Sequence, residues 1–487
     1  MAGQGVGTAF ARAGRIGQNG PVSANQILQR PVLTIIGGGP GGYEAALVAA
    51  KAGAEVTVIE SKGMGGSAVL TDVVPSKTLI ATADSMRRVV KAPTLGVDLD
   101  GATPSANMRE VDRRLLDLAS QQSADIRRGL ERRGVTVVIG RATMLGPTTV
   151  EVTPDEGEPY QLESTAVLLA VGASPRELPS AQPDGERIFN WTQVYTLTEI
   201  PEHMIVVGSG VTGAEFASAY NLLGAKVTLV SSRDRVLPGE DPDAAAVLEE
   251  VFAQNGVNVL SQTRAESVER TENGVKVTLS GGDVVEGSHC LLAVGGIPNT
   301  ADLGLEAAGV KTTESGHIAV DGVSRTSVPT VYAAGDCTGV FPLASVAAMQ
   351  GRTAVAHLMG DAVKPFQPHL VSSNIFTSPE IATVGVTEAM VASGKYQADV
   401  IKLDLDTNPR AKMMNVTHGF VKIFSRKGSG TVIGGVVVAP RASELIFPIS
   451  LAVVHKLHVD DLANTYTVYP SISGSISEAA RRLHVHL

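Results

Sequence analysis

One unit of sequence occurs twice and leaves few folds open to this chain. VLTIIGGGPGGYEAALVAA (Val32 to Ala50) passes from a β-branched, strand-like run into glycines and then into a helix-forming stretch. AEVTVIE follows and ends at Glu60. About 170 positions later the same order returns in MIVVGSGVTGAEFASAYNLLGAKVTLVSS (Met204 to Ser232). A strand, a tight glycine turn, a helix and a second strand form the core of a dinucleotide-binding sheet, so two copies predict two nucleotide-binding domains.

The remainder of the 487 residues is too long to share one core with them, and a third domain is expected. Between the two units the pattern predicts an amphipathic helix around Val111 to Arg132 and short strands through Leu169. After Asp336 a helix is expected over Ala344 to Met359. From about Pro365, strands such as FVKIF and TVIGGVVVA alternate with helices, without a nucleotide fingerprint. The fold class read from this order is α/β: two Rossmann-like, three-layer ββα dinucleotide-binding domains followed by a C-terminal α+β domain.

Composition narrows the function classes. A net charge of −9 gives no basic surface for a nucleic acid, and no uninterrupted apolar run reaches membrane-spanning length. A soluble cytoplasmic protein is expected. The first thirty residues carry Arg12, Arg15 and Arg30 without an acid or an apolar signal core, and read as a disordered tail. Cys290 and Cys337 are far apart, lack CxxC or metal-ligand spacing, and read as buried inert thiols. The ten histidines are scattered, so no metal site is expected.

In the first fingerprint Gly37 permits the tight turn, Gly39 lets backbone N–H groups approach a pyrophosphate, and Gly42 allows close packing of helix on strand. Glu60, 23 residues beyond Gly37, stands where a carboxylate accepts hydrogen bonds from an adenosine ribose. Gly208, Gly210 and Gly213 repeat the pattern, but the matching acid position is Ser231, followed by Arg233 and Arg235. An acid there repels the 2′-phosphate of NADP; a serine and a nearby arginine accept it, so both NADPH and NADH are expected to bind.

The order of GGGPGG, Glu60, PSK at 75–77, GSGVTGAE, AVGGIPNT and YAAGDCTG, continued through FTSPEIATVGVTE, NPRAKM and ASELI, resembles the flavoprotein disulfide reductases, lipoamide dehydrogenase above all. That resemblance implies an FAD-binding domain over 31–177 and 296–364, an NAD(P)H-binding domain over 178–295, and a dimerisation domain over 365–487, hence a homodimer. It assigns the first fingerprint, Glu60, Gly66, Gly172, Asp336 and Ala344 to FAD, with Asp336 on the ribityl chain. It assigns the second fingerprint, Ser231, Arg233 and Gly295 to the nicotinamide cofactor. Lys77 and Glu215 match the family's ion pair beside the flavin ring, where a cation stabilises the reduced, anionic cofactor.

Two departures set the chain apart. The family's dithiol motif is matched at Gly65, Gly66, Ser67, Pro75, Ser76 and Lys77, yet Ala68 and Val73 stand where both cysteines belong. Neither can form a thiolate or a disulfide. The family's histidine base and its steering glutamate are matched by Tyr469 and Gly474. A phenol titrating at about 10 is a poor proton acceptor at neutral pH, and a glycine steers nothing. Glu478, one helical turn further on, is the geometric alternative. All four losses fall in the thiol half-reaction, while the residues for nicotinamide and flavin remain.

The whole chain resembles a branch of actinobacterial lipoamide-dehydrogenase-like NAD(P)H quinone reductases that lack the redox cysteines. This resemblance implies hydride transfer from NAD(P)H to FAD and two-electron reduction of a quinone against the apolar wall of Ala68, Val73 and Val74, with the Tyr469 hydroxyl as a donor to the acceptor. A flavin-mediated transhydrogenase, an NAD(P)H oxidase and a noncatalytic FAD-binding sensor or scaffold are the alternatives left open.

Overall fold

The structure is a computed structural model, and it describes residues 30–484. The tail expected over 1–30 thus lies outside the described residues except for Arg30. The first repeat folds as its pattern demands: β1 (Val32–Ile36), α1 (Pro40–Lys51) and β2 (Glu55–Glu60), with β1 and β2 parallel and in register from Val32–Glu55 to Ile36–Ile59. A short helix α2 (Gly66–Leu70) and a long one, α3 (Val73–Lys91), come next. The expected amphipathic helix is α4 (Met108–Glu131), starting earlier because the Asn107 side chain caps it by accepting from the Glu110 N–H. The chain then runs through β3 (Thr136–Met144), β4 (Thr149–Pro154), β5 (Tyr160–Glu163) and β6 (Ala166–Leu169).

A crossover, β7 (Ala173–Pro175), leads to the second unit. Its elements are β8 (Ile188–Asn190), β9 (His203–Val207), α5 (Val211–Leu223), β10 (Lys226–Val230), α6 (Pro242–Gln254) and β11 (Asn258–Leu260). An antiparallel layer follows, made of β12 (Ala265–Arg270), β13 (Val275–Leu279) and β14 (Val284–Gly287). β15 (His289–Leu292) completes a parallel sheet of order β11-β10-β9-β15-β8. β16 (Gly296–Pro298) pairs back on β7, so the outgoing and returning strands run antiparallel. β17 (Val331–Ala333) then joins the first sheet, of order β17-β6-β1-β2-β3-β4-β5, and α7 (Ala344–Leu358) packs on α1.

The last third holds β18 (Ser372–Ile375), β19 (Glu380–Gly385), α8 (Glu388–Ala392), β20 (Ala398–Asp404), α9 (Pro409–Met413), β21 (Phe420–Arg426) and β22 (Val432–Ala439). These strands form one antiparallel sheet, β18-β19-β22-β21-β20. Helices α10 (Ala442–Leu445), α11 (Phe447–His455), α12 (Val459–Ala463) and α13 (Gly474–Arg482) follow it.

One apolar core ties the three units together. It extends from Leu79 of α3 and Leu115 of α4 through Phe216 and Tyr220 of α5 to Ile375 and Phe420 of the last sheet. Burial of these large side chains, worth roughly 1.5–3 kcal/mol each, clamps α3 against α5. The chemistry depends on that contact. No described helix is long and apolar enough to cross a membrane.

Candidate active site

Each glycine turn sorts its glycines by role. Gly37 and Gly208 have φ of 104° and 110°, and a Cβ there would lie 2.3 Å from the carbonyl oxygens of Ala170 and Ala293. A Cβ at Gly42 or Gly213 would lie 1.9 or 1.8 Å from the carbonyl oxygen of the first glycine, so these positions seat the helix on its strand. Gly39 and Gly210 differ: no other part of the protein comes within 4 Å of an added Cβ. Open space at the N-terminus of a long helix, beside backbone N–H groups, fits a pyrophosphate at both turns.

Glu60 ends β2, buried, and its carboxylate accepts from the Gly38 N–H at 2.6 Å and the Lys62 N–H at 2.8 Å. Gly66 (φ 56°) packs against the Gly39 backbone, its added Cβ falling 3.0 Å from the Gly39 Cα. Gly172 and Gly295 occupy matching places after β6 and β15, in AVGAS and AVGGI, both with positive φ and open space where a side chain would stand. Asp336 follows β17, half-buried; burial pushes its carboxyl upward while His317 pulls it down. α7 crosses α1 closely because Gly351 meets the Gly41 carbonyl oxygen, with 2.1 Å to an added Cβ, and this brings Ala344, at the start of α7, to the same end of the sheet.

Lys77 and Glu215 meet. Nζ donates to Oε2 at 2.7 Å, Glu215 being buried and Lys77 partly exposed. The other carboxylate oxygen of Glu215 accepts the Phe376 N–H at 2.8 Å, and the Lys77 ammonium lies 5.0 Å from the centre of the Phe376 ring. Replacing such a pair with apolar residues is often neutral or stabilising by about 1–4 kcal/mol, so packing alone gives no reason to keep it. Ala68 in α2 and Val73 at the start of α3 are half-buried; Val73 stands four residues, about one helical turn, ahead of Lys77. Sequence reasoning missed Phe376 as the third member of this group, and it passed over Asp72, which lies between the two thiol positions. Signals for both were at hand: Phe376 opens the quoted FTSPEIATVGVTE, and Asp72 is the one ionisable residue between Ala68 and Val73.

The second turn holds Ser231 where the first holds Glu60. Ser231 is wholly buried; its hydroxyl lies 2.7 Å from Ser209 Oγ and accepts the Arg233 N–H at 3.1 Å. It thus contacts in the second turn the two positions matching those that Glu60 contacts in the first. Arg233 is exposed, and Arg235 has a buried Nε without a hydrogen-bond partner, 3.8 Å from the Asp234 carboxylate.

At the C-terminal end, Tyr469 is 82% exposed and its hydroxyl has no partner among the described residues of its own chain. The Gly474 N–H donates to Ser471 Oγ at 3.1 Å, and Glu478 is engaged by Arg481 at 2.5 Å and Arg482 at 3.2 Å. Within the chain Glu478 thus faces two arginines of its own helix. Both thiols are buried and unpaired, as expected. Burial pushes Cys337 up to about 12, and it donates to the Ala334 carbonyl at 3.3 Å. Burial also raises Cys290. Among the described residues one carboxylate group has metal-like spacing, Asp241, Asp243 and Glu388, but the buried Lys422 ammonium bonds all three at 2.6–2.9 Å.

Comparison with known proteins agrees with this geometry. Residues 32–351 match the pyridine nucleotide-disulphide oxidoreductase family, and 371–480 match the dimerisation domain of the same family. Over 463 residues the chain is 52% identical to an NAD(P)H dehydrogenase (quinone) of Mycobacterium tuberculosis, covering 93% of this chain and 94% of that one. It is 33% identical to a dihydrolipoyl dehydrogenase of Chlorobaculum tepidum, covering 92% and 96%. A crystal structure of LpdA from Mycobacterium tuberculosis superposes with a TM-score of 0.90 at 51% identity, over 93% of this chain and all of that one. Two nucleotide turns, an ion pair held between them and a matched dimerisation domain lead to one assignment: this chain belongs to the pyridine nucleotide-disulphide oxidoreductases.

Proposed function

We propose that this protein is an FAD-dependent NAD(P)H:quinone oxidoreductase that works without a redox dithiol. The observation that carries the reading is the intact Lys77–Glu215 pair at 2.7 Å beside Ala68 and Val73, where the family's thiols would stand. Gly37, Gly39, Gly42, Glu60, Gly66, Gly172, Asp336 and Ala344 would hold FAD. Gly208, Gly210, Gly213, Ser231, Gly295 and Arg233 would hold the nicotinamide cofactor, with Arg235 supplying a charged donor to a 2′-phosphate. Bound FAD supplies a two-electron relay between nucleotide and acceptor. Lys77 would supply a positive charge to bound FAD, and Glu215 with the Phe376 N–H fixes the direction of its side chain. Ala68, Val73 and Val74 give the acceptor side a methyl- and isopropyl-lined wall, suited to a flat apolar molecule. The name carried by the mycobacterial relative supports a quinone as that molecule.

The exposed apolar residues of α11 and the Tyr466–Tyr469 segment support a homodimer built on the dimerisation domain. In it, Tyr469 would serve the acceptor of the partner subunit as a hydrogen-bond donor.

The test is anaerobic. The yellow protein is bleached with one equivalent of NADPH, then given menadione in one cuvette and lipoamide in another. Rapid return of the flavin band with menadione and none with lipoamide is expected. Return with a nicotinamide analogue alone would favour a transhydrogenase, and return only on admitting air an oxidase. Failure of NADPH and NADH to bleach the flavin would replace the enzyme reading with a binding module.

A further inference from the structure

Between the positions of the two absent thiols, Asp72 is the one ionisable side chain. It stands at the start of α3, but its carboxylate does not cap the helix. Its backbone carbonyl is fixed from two sides, accepting the Ser76 N–H at 2.8 Å and the Tyr195 hydroxyl at 3.5 Å. The carboxyl group itself has no hydrogen-bond partner among the described residues, and the residue is half-buried. Charged and titratable groups face it from four elements: Lys77 of α3, Glu215 of α5, Asp336 after β17, and Tyr195 of the turn Val194–Thr196.

The bonding of the neighbours singles Asp72 out. Glu215 is tied at both oxygens, by Lys77 and by the Phe376 N–H. Glu478 is held by two arginines, and Gly474 has no side chain. Asp336 likewise accepts no side-chain hydrogen bond, but it is the carboxylate that would hold FAD, which leaves Asp72 as the carboxyl free to gain and lose a proton. Its environment poises it to do so: burial pushes its pKa from 3.8 up to about 6, with Lys77 pulling down and Glu215 and Asp336 pushing up. A general acid works best when its pKa lies close to the working pH.

We propose that Asp72 is the proton donor to the quinone, taking over the acid function that the chain lost with the family's histidine. The assignment rests on the quinone-reductase reading. The overall reaction is NAD(P)H + quinone + H⁺ → NAD(P)⁺ + hydroquinone. The hydride brings both electrons and one hydrogen, which leaves one quinone oxygen to be protonated. There the Asp72 O–H bond breaks as the second hydroquinone O–H bond forms. The carboxylate then regains a proton from water.

The experiment compares holoenzymes of the wild type, Asp72→Asn and Asp72→Glu. Reoxidation of the NADPH-reduced proteins by menadione is followed by stopped flow from pH 5 to 9. The wild-type rate is expected to fall about tenfold per pH unit once the carboxyl is ionised. The Asn variant should be about 100-fold slower at pH 6 and flat with pH, and the Glu variant should recover the pH dependence. A second readout needs no turnover: the absorbance of the resting flavin, titrated over the same range, should show a step near pH 6 in the wild type that is absent in the Asn variant.

An Asp72→Asn protein with the wild-type rate and pH profile would overturn the assignment. A wild type that NADPH bleaches but menadione does not restore at any pH would overturn the quinone reading and the donor role with it. These two failures are told apart by the wild-type cuvette alone.

Discussion

At Gly39 an added side chain meets open space, while at Gly42 it meets a carbonyl oxygen 1.9 Å away. Gly39→Val should therefore fold with nearly the wild-type melting temperature yet purify colourless, whereas Gly42→Val should fail to fold. Gly210→Val should stay yellow and resist bleaching by NADPH; a bleachable variant would move the nucleotide elsewhere. A buried charge offers a separate test at this scale. Asp112 of α4 is 8% exposed with one carboxylate oxygen lacking a partner, and burial pushes its pKa from 3.8 up to about 7. A raised carboxyl pKa favours the neutral form in the fold. The destabilisation is therefore absent below pH 3.8, grows as pH rises from 3.8 to about 7, and is constant above that. Asp112→Asn should match the wild type near pH 4 and exceed its unfolding free energy by up to about 4 kcal/mol at pH 8, measured by urea denaturation.

Among the elements, α6, α8 and β21 are joined by one cation. Lys422 of β21 is 2% exposed and bonds Asp241 at the N-cap of α6, Asp243 in its first turn and Glu388 at the start of α8. Burial alone would lower its pKa, but hydrogen bonds to Asp241, Asp243 and Glu388 outweigh it and hold the ammonium charged. Lys422→Met should cost roughly 3–5 kcal/mol, because three carboxylates lose their counter-charge while two remain close to water. Calorimetry should show the loss relieved at acid pH, as protonation removes the repulsion. Helix boundaries elsewhere followed local chemistry: α7 starts at the expected Ala344, and α4 begins three residues ahead of the expected Val111, where Asn107 supplies a cap.

For the molecule as a whole, Phe447, Leu451 and Val454 form an exposed apolar stripe on α11, at 62%, 41% and 45% exposure, with Tyr466 and Val468 barer still. Spacings of four and three residues put the three on one helical face. Phe447→Asp with Leu451→Asp should halve the mass seen by sedimentation velocity. The resulting monomer should still be bleached by NADPH, since Lys77, Glu215 and both glycine turns lie in one chain. On the proposed role of Tyr469 at the partner subunit's acceptor, its reoxidation by menadione should slow. A variant that stays dimeric would place the interface on another face.

The sequence by itself determined the two nucleotide units, the separate roles of the glycines, and the closure of the dithiol route at Ala68 and Val73. These are local matters: a backbone turn either admits a Cβ or does not, and a methyl group cannot become a thiolate. The resemblance further named Lys77 and Glu215 as partners. Only the tertiary structure decided which ionisable groups share an environment. It turned Ser231 inward, held Glu478 between two arginines, brought the Phe376 N–H to Glu215 across 161 residues, and left the Asp72 carboxyl free beside them. Burial and charge proximity set a proton's affinity, and both arise from the clamping of α3 on α5 by a core that draws residues from all three units, which no single stretch of sequence contains.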